Sequence, residues 1–385
     1  MSKLIENITI FDTTLRDGEQ APGATMTIDQ KLDIAKLLDK MKVNIIEAGF
    51  PASSENEFNA VKKISQILNF SKIAGLARAN KNDIYAVHEA TKNNKNRRLH
   101  TFISTSNIHM KYKLKMQPDD VLRAIKESIQ YGKKYFDDIE WSCEDGTRSD
   151  IEFLYKCFDT AIKSGATTVN IADTVGYTMP DEFQDIISKI KNNVPNIDKV
   201  IFSVHCHNDL GFAVSNSISA LNVGVRQIEC TINGLGERAG NASLEEIVMA
   251  LNTRADIFPY RTSVLTNYLT EISDKVSTYS GFNVPPNKAI VGKNAFAHES
   301  GIHQHGVIMN PQTYEIIKPN KVGADGSKIV MGKHSGRNAF KYKLLEMGFN
   351  LKNNEIEHAF HLFKKLADSK KIVSDKQLKE LIKSI

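Results

Sequence analysis

TTVNIADTVGYTMPDEFQDIISKI, residues 167–190, is one repeat of the whole fold. Its first seven residues are a β-rich apolar run. Its last ten place Phe183, Ile186, Ile187 and Ile190 at helical spacing. Between the two, DTVGY sets the polar pair Asp173 and Thr174 just past the strand. Strand, short loop and amphipathic helix make a βα unit, which favours a parallel sheet covered by helices.

The unit recurs on both sides. Strand candidates are ITIFD (8–12), VNIIEAG (43–49), KIAGLAR (72–78), LHTFIST (99–105), DDIEWS (137–142), TTVNIAD (167–173), VIFSVHC (200–206) and RQIECTI (226–232). Amphipathic stretches lie between them; in IDQKLDIAKLLDKM, for example, Ile28, Leu32, Ala35 and Leu38 share a face. Eight βα units in roughly 250 residues predict a closed (β/α)8 TIM barrel, with a doubly wound open sheet as the alternative. A barrel of this kind carries its functional residues just beyond the strands, at one face. The sequence meets that demand: Arg16 and Asp17 follow the first strand, Glu47 ends the second and Arg78 the third. Glu144 follows the fifth, Asp173 and Thr174 the sixth, His205 and His207 close the seventh, and NGLGERAGN (233–241) follows the eighth. The barrel is expected over residues 1–255, and a smaller, mainly helical C-terminal region over 256–385. That region contains a loop-rich stretch, VPPNKAIVGKNAFAHESGIHQHGV (284–307).

Composition narrows the functional classes. Of 385 residues, 41% are hydrophobic and 25% charged, ordinary for a globular chain. No apolar run approaches the ~18 residues of a membrane span, and the start, MSKLIENITIFDTT, lacks a signal peptide's apolar region. A cytoplasmic location is expected. The four cysteines, Cys143, Cys157, Cys206 and Cys230, show no CxxC pairing and are expected as small buried residues. The net charge of +5 is scattered; its densest run, KNNKNRR (92–98), reads as a solvated loop without interleaved aromatics, so nucleic acid is not an expected partner.

The histidine pair carries the chemistry. Alternate side chains of a strand share a face, so His205 and His207 both point into the barrel mouth while Cys206 points away. Two neutral imidazoles so placed form half of a divalent-metal site, although hydrogen-bonded core histidines would look the same in sequence. Asp17, beyond the first strand, and Asn241, in the glycine-rich loop, can complete an N/O donor set. One carboxylate against a divalent ion leaves a net positive charge that attracts an anionic substrate such as a 2-oxo acid. GLGERAG superficially suggests a dinucleotide fingerprint, but its spacing is GxGxxxG and it follows the last strand, so the glycines are read as shaping the loop that carries Asn241.

FDTTLRDGEQAPGATM, IEAGFPASS, HTFISTSNIHMKYKLKM, DTVGY, HCHNDLG, GERAGNASLEE and AFAHESGIHQHGV, in that order, resemble the 2-isopropylmalate synthases. These belong to a barrel superfamily that also includes homocitrate and citramalate synthases and hydroxymethylglutaryl-CoA lyase. The resemblance implies a Claisen-type condensation of acetyl-CoA with 2-oxoisovalerate, followed by thioester hydrolysis. It implies that Asp17, His205, His207 and Asn241 hold a divalent ion (Mn, Mg or Zn), with K+ as an activator. It gives Arg16 the stabilisation of negative charge on oxygen, and Glu47 the orientation of Arg16. Glu144 and Thr174 would contact the 2-oxo acid, and Leu76, His100, Ser142 and Asn170 would line its side-chain pocket. His303 matches the base and Tyr314 its companion, in a region that reaches over a partner subunit's site, so a homodimer with sites completed in trans is expected. One departure stands out: His305 occupies a position where the family usually has aspartate. The alternatives are citramalate synthase using pyruvate, homocitrate synthase using 2-oxoglutarate and, remotely, a non-catalytic paralogue pairing with an active synthase. The chain stops at Ile385, where relatives continue into a leucine-binding domain, so insensitivity to leucine is expected.

Overall fold

The structure is a computed structural model that describes residues 5–385. Eight parallel strands close a barrel: β1 (Thr9–Asp12), β2 (Ile45–Glu47), β3 (Lys72–Arg78), β4 (Arg97–Ser104), β5 (Ile139–Glu144), β6 (Thr168–Asp173), β7 (Ile201–Cys206) and β8 (Gln227–Cys230). Neighbours in sequence are neighbours in the sheet, and closure comes from β8 on β1, with Thr9 opposite Gln227 and Asp12 opposite Cys230. All eight expected strands are present, and the open-sheet alternative is excluded.

The helices that follow the strands are α1 (Ile28–Lys40), α2 (Glu55–Ile67), α3 (Lys81–Thr91), α4 (Pro118–Gly132), α5 (Ile151–Ser164), α6 (Pro180–Asn193), α7 (Ala213–Ala220) and α8 (Leu244–Thr253). Their starts are written locally. Thr27 and Gln30 form a capping box on α1, the Ser54 and Asp150 side chains accept from backbone N–H groups of α2 and α5, and prolines open α4 and α6. Each such cap is worth about 1 kcal/mol.

The core lies mainly between strands and helices. On β5 the outward row is Ile139, Trp141 and Cys143, and Trp141 meets Phe158 of α5 edge-on with ring centroids 5.5 Å apart. The inward row is polar: Glu140, Ser142 and Glu144. Phe11, Ile45 and Ala74 pack together. Below the mouth, Arg98 donates to Glu140 and Gln227 at 2.7 Å each and to Asp138 at 3.0 Å. Gln227 donates to Glu140 at 2.7 Å and to Ser203 at 2.9 Å. Pairing of this kind offsets the cost of burying polar and charged groups. Arg98 corrects one expectation: the run 92–98 is not all solvated loop, because Arg97 and Arg98 open β4 and Arg98 is buried in the barrel.

The chain divides into two compact units, one ending at Val284 and one spanning Pro285–Ile385. The first runs beyond the break expected at residue 255 because α9 (Leu269–Ser280) belongs to it. Lys275 and Tyr279 of α9 both bond Asp33 of α1 at 2.6 Å, and Asn233 beyond β8 donates to the Ser273 carbonyl at 3.0 Å. The second unit contains α10 (Gly301–Met309), α11 (Arg337–Glu346), α12 (Asn353–Asp368) and α13 (Asp375–Lys383). Phe340 and Phe363 stack at its centre with centroids 4.9 Å apart, beside Leu344 and Leu378. Helix α10 lies in a stretch expected to be loop. Its two glycines, unfavourable in a helix, are there for close approach. A Cβ on Gly301 would come within 2.8 Å of the Gly336 backbone, and one on Gly306 within 2.6 Å of the Tyr314 ring.

Candidate active site

Every barrel residue to which the resemblance gives a role, except Glu47 and Asn241, lines one cavity of about 310 Å³ at the mouth. The two exceptions sit directly behind it. Glu47, fully buried, takes Arg16 Nε on one carboxylate oxygen and His100 Nδ1 on the other, each at 2.6 Å. His100 Nε2 lies 2.7 Å from Ser142 Oγ, which also accepts from Asn170 at 3.0 Å. Arg16, Glu47, His100, Ser142 and Asn170 are therefore one bonded chain along the cavity floor. Leu76, Phe102 and Ala172 give its wall an apolar section.

The proposed donors converge. His205 Nε2 lies 3.2 Å and His207 Nε2 3.6 Å from the same atom, Asp17 Oδ2, and the ligating atoms of the three residues fall within 4.8 Å of one another. Asn241 is brought beside His207 by an antiparallel bridge. Its amide nitrogen donates to the Leu235 carbonyl at 3.1 Å, which leaves Oδ1 buried without a partner. Asp17 Oδ2 is also buried and without hydrogen-bond geometry to any neighbour. Unsatisfied buried oxygens beside imidazole nitrogens are costly in a dry core, and a divalent cation with N/O preference fits them. The glycines of the loop make room for this: a Cβ on Gly236 would stand 2.2 Å from Asn241 Nδ2, and Gly240, at φ +90°, would clash with the Gly234 carbonyl at 2.0 Å.

Electrostatics differ across the set. Burial opposes ionisation of Asp17, yet the adjacent Arg16 charge and then His205 hold its carboxyl below the usual range. Burial would depress His205, but the adjacent Asp17 carboxylate and the bond to Glu229 push it up to about 10. His207 is pushed down to about 4, by burial and then by His205.

At the rim, Glu144 is engaged by Ser104 and Lys113, and the Thr174 hydroxyl accepts from the Asp145 N–H at 2.9 Å. Arg238 binds Asp209 through two bonds, at 2.8 and 3.0 Å, and donates to the Thr174 carbonyl at 2.7 Å. It thereby links the loops after β6, β7 and β8. Two residues in the expected mouth cluster lie apart from the cavity. Arg78 pairs with Asp83 at 2.7 Å, and Asp173 accepts from the Thr147 and Thr178 hydroxyls at 2.9 and 2.6 Å. Lys113 and Glu229 line the cavity although sequence reasoning gave them no role. Glu229 had a signal, since inward parity on β8 selects Gln227 and Glu229; Lys113 reaches the mouth from a helical turn, Met110–Leu114, where strand parity offers none.

His303 and Tyr314 belong to the second unit, where their rings lie 4.3 Å apart between centroids. Both are exposed, as is His305. On a helix, residues two apart do not face each other, so His305 does not sit against His303.

Fold and site together define a barrel enzyme of the HMGL-like class. Residues 7–276 match the HMGL-like family, and residues 290–371 match the family described as homocitrate synthase post-HMGL domain-like. Solved hydroxymethylglutaryl-CoA lyases share the fold. That of Pseudomonas aeruginosa has a TM-score of 0.63 at 17% identity, covering 73% of this chain and 95% of its own. That of Brucella melitensis has a TM-score of 0.61 at 16% identity, covering 72% and 99%. Curated 2-isopropylmalate synthases from Bradyrhizobium sp. and Caulobacter vibrioides are each 54% identical over 98% of this chain, which spans 72% of their length. The chain belongs to the 2-isopropylmalate synthase family. Among the described residues no helix is long and apolar enough to cross a membrane.

Proposed function

We propose that the chain condenses acetyl-CoA with 2-oxoisovalerate and hydrolyses the resulting thioester to give 2-isopropylmalate and CoA. The observation that carries this reading is the convergence of Asp17, His205, His207 and the unpartnered Asn241 oxygen at a cavity floored by Arg16 and walled by Leu76. A divalent ion held by those four residues (Mn, Mg or Zn) would supply Lewis-acid polarisation of the 2-oxo acid's carbonyl.

The chain's own residues supply the rest. Arg16, kept charged by Glu47 and Asp17 against the cost of burial, offers a fixed cation where negative charge develops on the substrate oxygen and on the enolate. Glu47 orients that guanidinium. Thr174 and Glu144 contact the 2-oxo acid, and Leu76, His100, Ser142 and Asn170 enclose its side chain. His303 takes the proton from the acetyl methyl group, with Tyr314 against its ring; imidazole accepts a proton near neutral pH. His303 and Tyr314 act on the barrel of a partner subunit in a cytoplasmic homodimer.

An apolar side chain is favoured over the second carboxylate of 2-oxoglutarate. The three cations lining the cavity, Arg16, Lys113 and Arg238, already have carboxylate partners in Glu47, Glu144 and Asp209. The test is release of free CoA from acetyl-CoA with 2-oxoisovalerate, pyruvate or 2-oxoglutarate in parallel, with and without chelator. The fastest turnover should come with 2-oxoisovalerate and vanish on chelation. A preference for pyruvate would make this a citramalate synthase.

A further inference from the structure

Glu229 has no role in the reaction as derived above, yet it touches both halves of the site. It stands on β8, in register with His205 of β7, and is 1% exposed. Its Oε2 lies 2.9 Å from His205 Nδ1. Its Oε1 lies 4.0 Å from His100 Nε2 and has no hydrogen-bond partner. Through Glu47, His100 is bonded to Arg16. One buried carboxylate thus sits between a proposed metal donor and the floor that carries the oxyanion-stabilising guanidinium.

His100, Glu140 and Glu229 also bring ligating atoms close enough to suggest a second cation site. The hydrogen bonds argue against it. Both His100 nitrogens are taken by Glu47 and Ser142, and both Glu140 oxygens by Arg98 and Gln227. The cluster is a bonded framework, and Glu229 is the member with an oxygen to spare.

We propose that Glu229 is a positioning residue: it accepts the Nδ1–H of His205 and so presents the Nε2 lone pair to the ion, while its second oxygen places negative charge under His100. The proposal rests on the metal-dependent reading above. A neutral imidazole carries one N–H, and an acceptor at Nδ1 fixes that hydrogen there, leaving Nε2 free to ligate. The two histidines differ in this respect. His207 Nδ1 is buried with no partner, so its ring orientation rests on packing alone. His205 is the donor whose ring tilt is set in advance, and Glu229 sets it by holding the hydrogen on Nδ1.

The experiment is Mn²⁺ titration of the metal-stripped full chain, comparing wild type with Glu229→Ala, Glu229→Met and Glu229→Gln, and thermal melts of each without metal. Methionine fills the glutamate's space without an acceptor, so the test survives if the alanine variant does not fold. Affinity should fall about 10–100-fold in the alanine and methionine variants, the usual effect of losing such a partner. It should fall less in Glu229→Gln, whose amide oxygen still accepts from Nδ1–H. Asp17→Ala, titrated alongside, separates the two readings. Glu229 variants that bind within twofold of wild type while Asp17→Ala is weakened overturn the role of Glu229 alone. If Asp17→Ala binds as tightly as wild type, the metal reading fails with it.

Discussion

Asp17 is the one anionic donor in the proposed metal set, and Arg16 lies beside it with Nη1 3.6 Å from Oδ2. That guanidinium keeps the carboxylate ionised before any ion arrives, so no proton must leave Asp17 for it to ligate. The same geometry makes Asp17 harder to replace than its neighbours. Asp17→Ala leaves only neutral donors, two imidazoles and the Asn241 oxygen, and removes the carboxylate that stands between the Arg16 charge and a cation, whereas His207→Ala removes one neutral ligand of four. We therefore expect both variants to lose metal, and Asp17→Ala to lose more; metal content after dialysis against limiting Mn²⁺ measures it. Equal retention by the two would show that Arg16 does not bear on the ion. Leu76, 5% exposed on the cavity wall, governs the other end of the substrate. A methyl group in such a pocket is worth about 1–3 kcal/mol. Leu76→Phe should cut kcat/KM for 2-oxoisovalerate by roughly 10–200-fold and spare the smaller pyruvate. Equal losses for both would place the branched carbon elsewhere.

At the scale of elements, the strands were legible because their outward rows are apolar and their helices begin with readable caps. The histidine pair was legible for a related reason: His205 and His207 share a strand face, and parity alone aims them at the mouth. Other features needed three dimensions. Arg98 reads as part of a solvated charge run, and only the closed sheet reveals Glu140 and Gln227 waiting across the barrel. Helix α10 was hidden by Gly301 and Gly306, whose purpose is contact with residues far along the chain. The extension to Val284 was hidden because the anchor of α9, Asp33, is more than two hundred residues away. The network under the mouth has its own consequence. Asp138 is bonded by Arg98 and contacted by Lys72; burial opposes its ionisation, but those charges hold its carboxyl below its usual value of 3.8. A carboxyl depressed in the folded state adds stability above its unfolded pKa and loses it as pH falls through the lower folded value. Below about pH 4, wild type should therefore lose stability more steeply than Asp138→Asn, as read by urea midpoints across the acid range. Parallel slopes would mean that the pair contributes nothing. Arg98→Met should cost about 3–5 kcal/mol at neutral pH, because Glu140 is left buried without its cation.

For the molecule as a whole, the question is which barrel the base proposed in the second unit would serve. His303 stands exposed on α10 with Tyr314 against it, which suits a group that works on a surface brought to it. Arg16 is held at the barrel mouth by Glu47, with its side chain 12% exposed, and needs no second unit to keep its place. The two residues can therefore be disabled independently, one in each unit, without sharing a structural lesion. If the base acts on the partner's barrel, Arg16→Ala and His303→Ala should each be nearly inactive as homodimers. A mixed dimer then contains one doubly damaged site and one in which an intact Arg16 meets an intact His303. It should recover about half the wild-type activity per dimer, since uncoupled sites add. Differently tagged variants, co-expressed and purified through both tags, isolate that species, and CoA release measures it. A mixed dimer as inactive as its parents would place Arg16 and His303 of one site on the same chain, and the exposed face of α10 would then need another explanation.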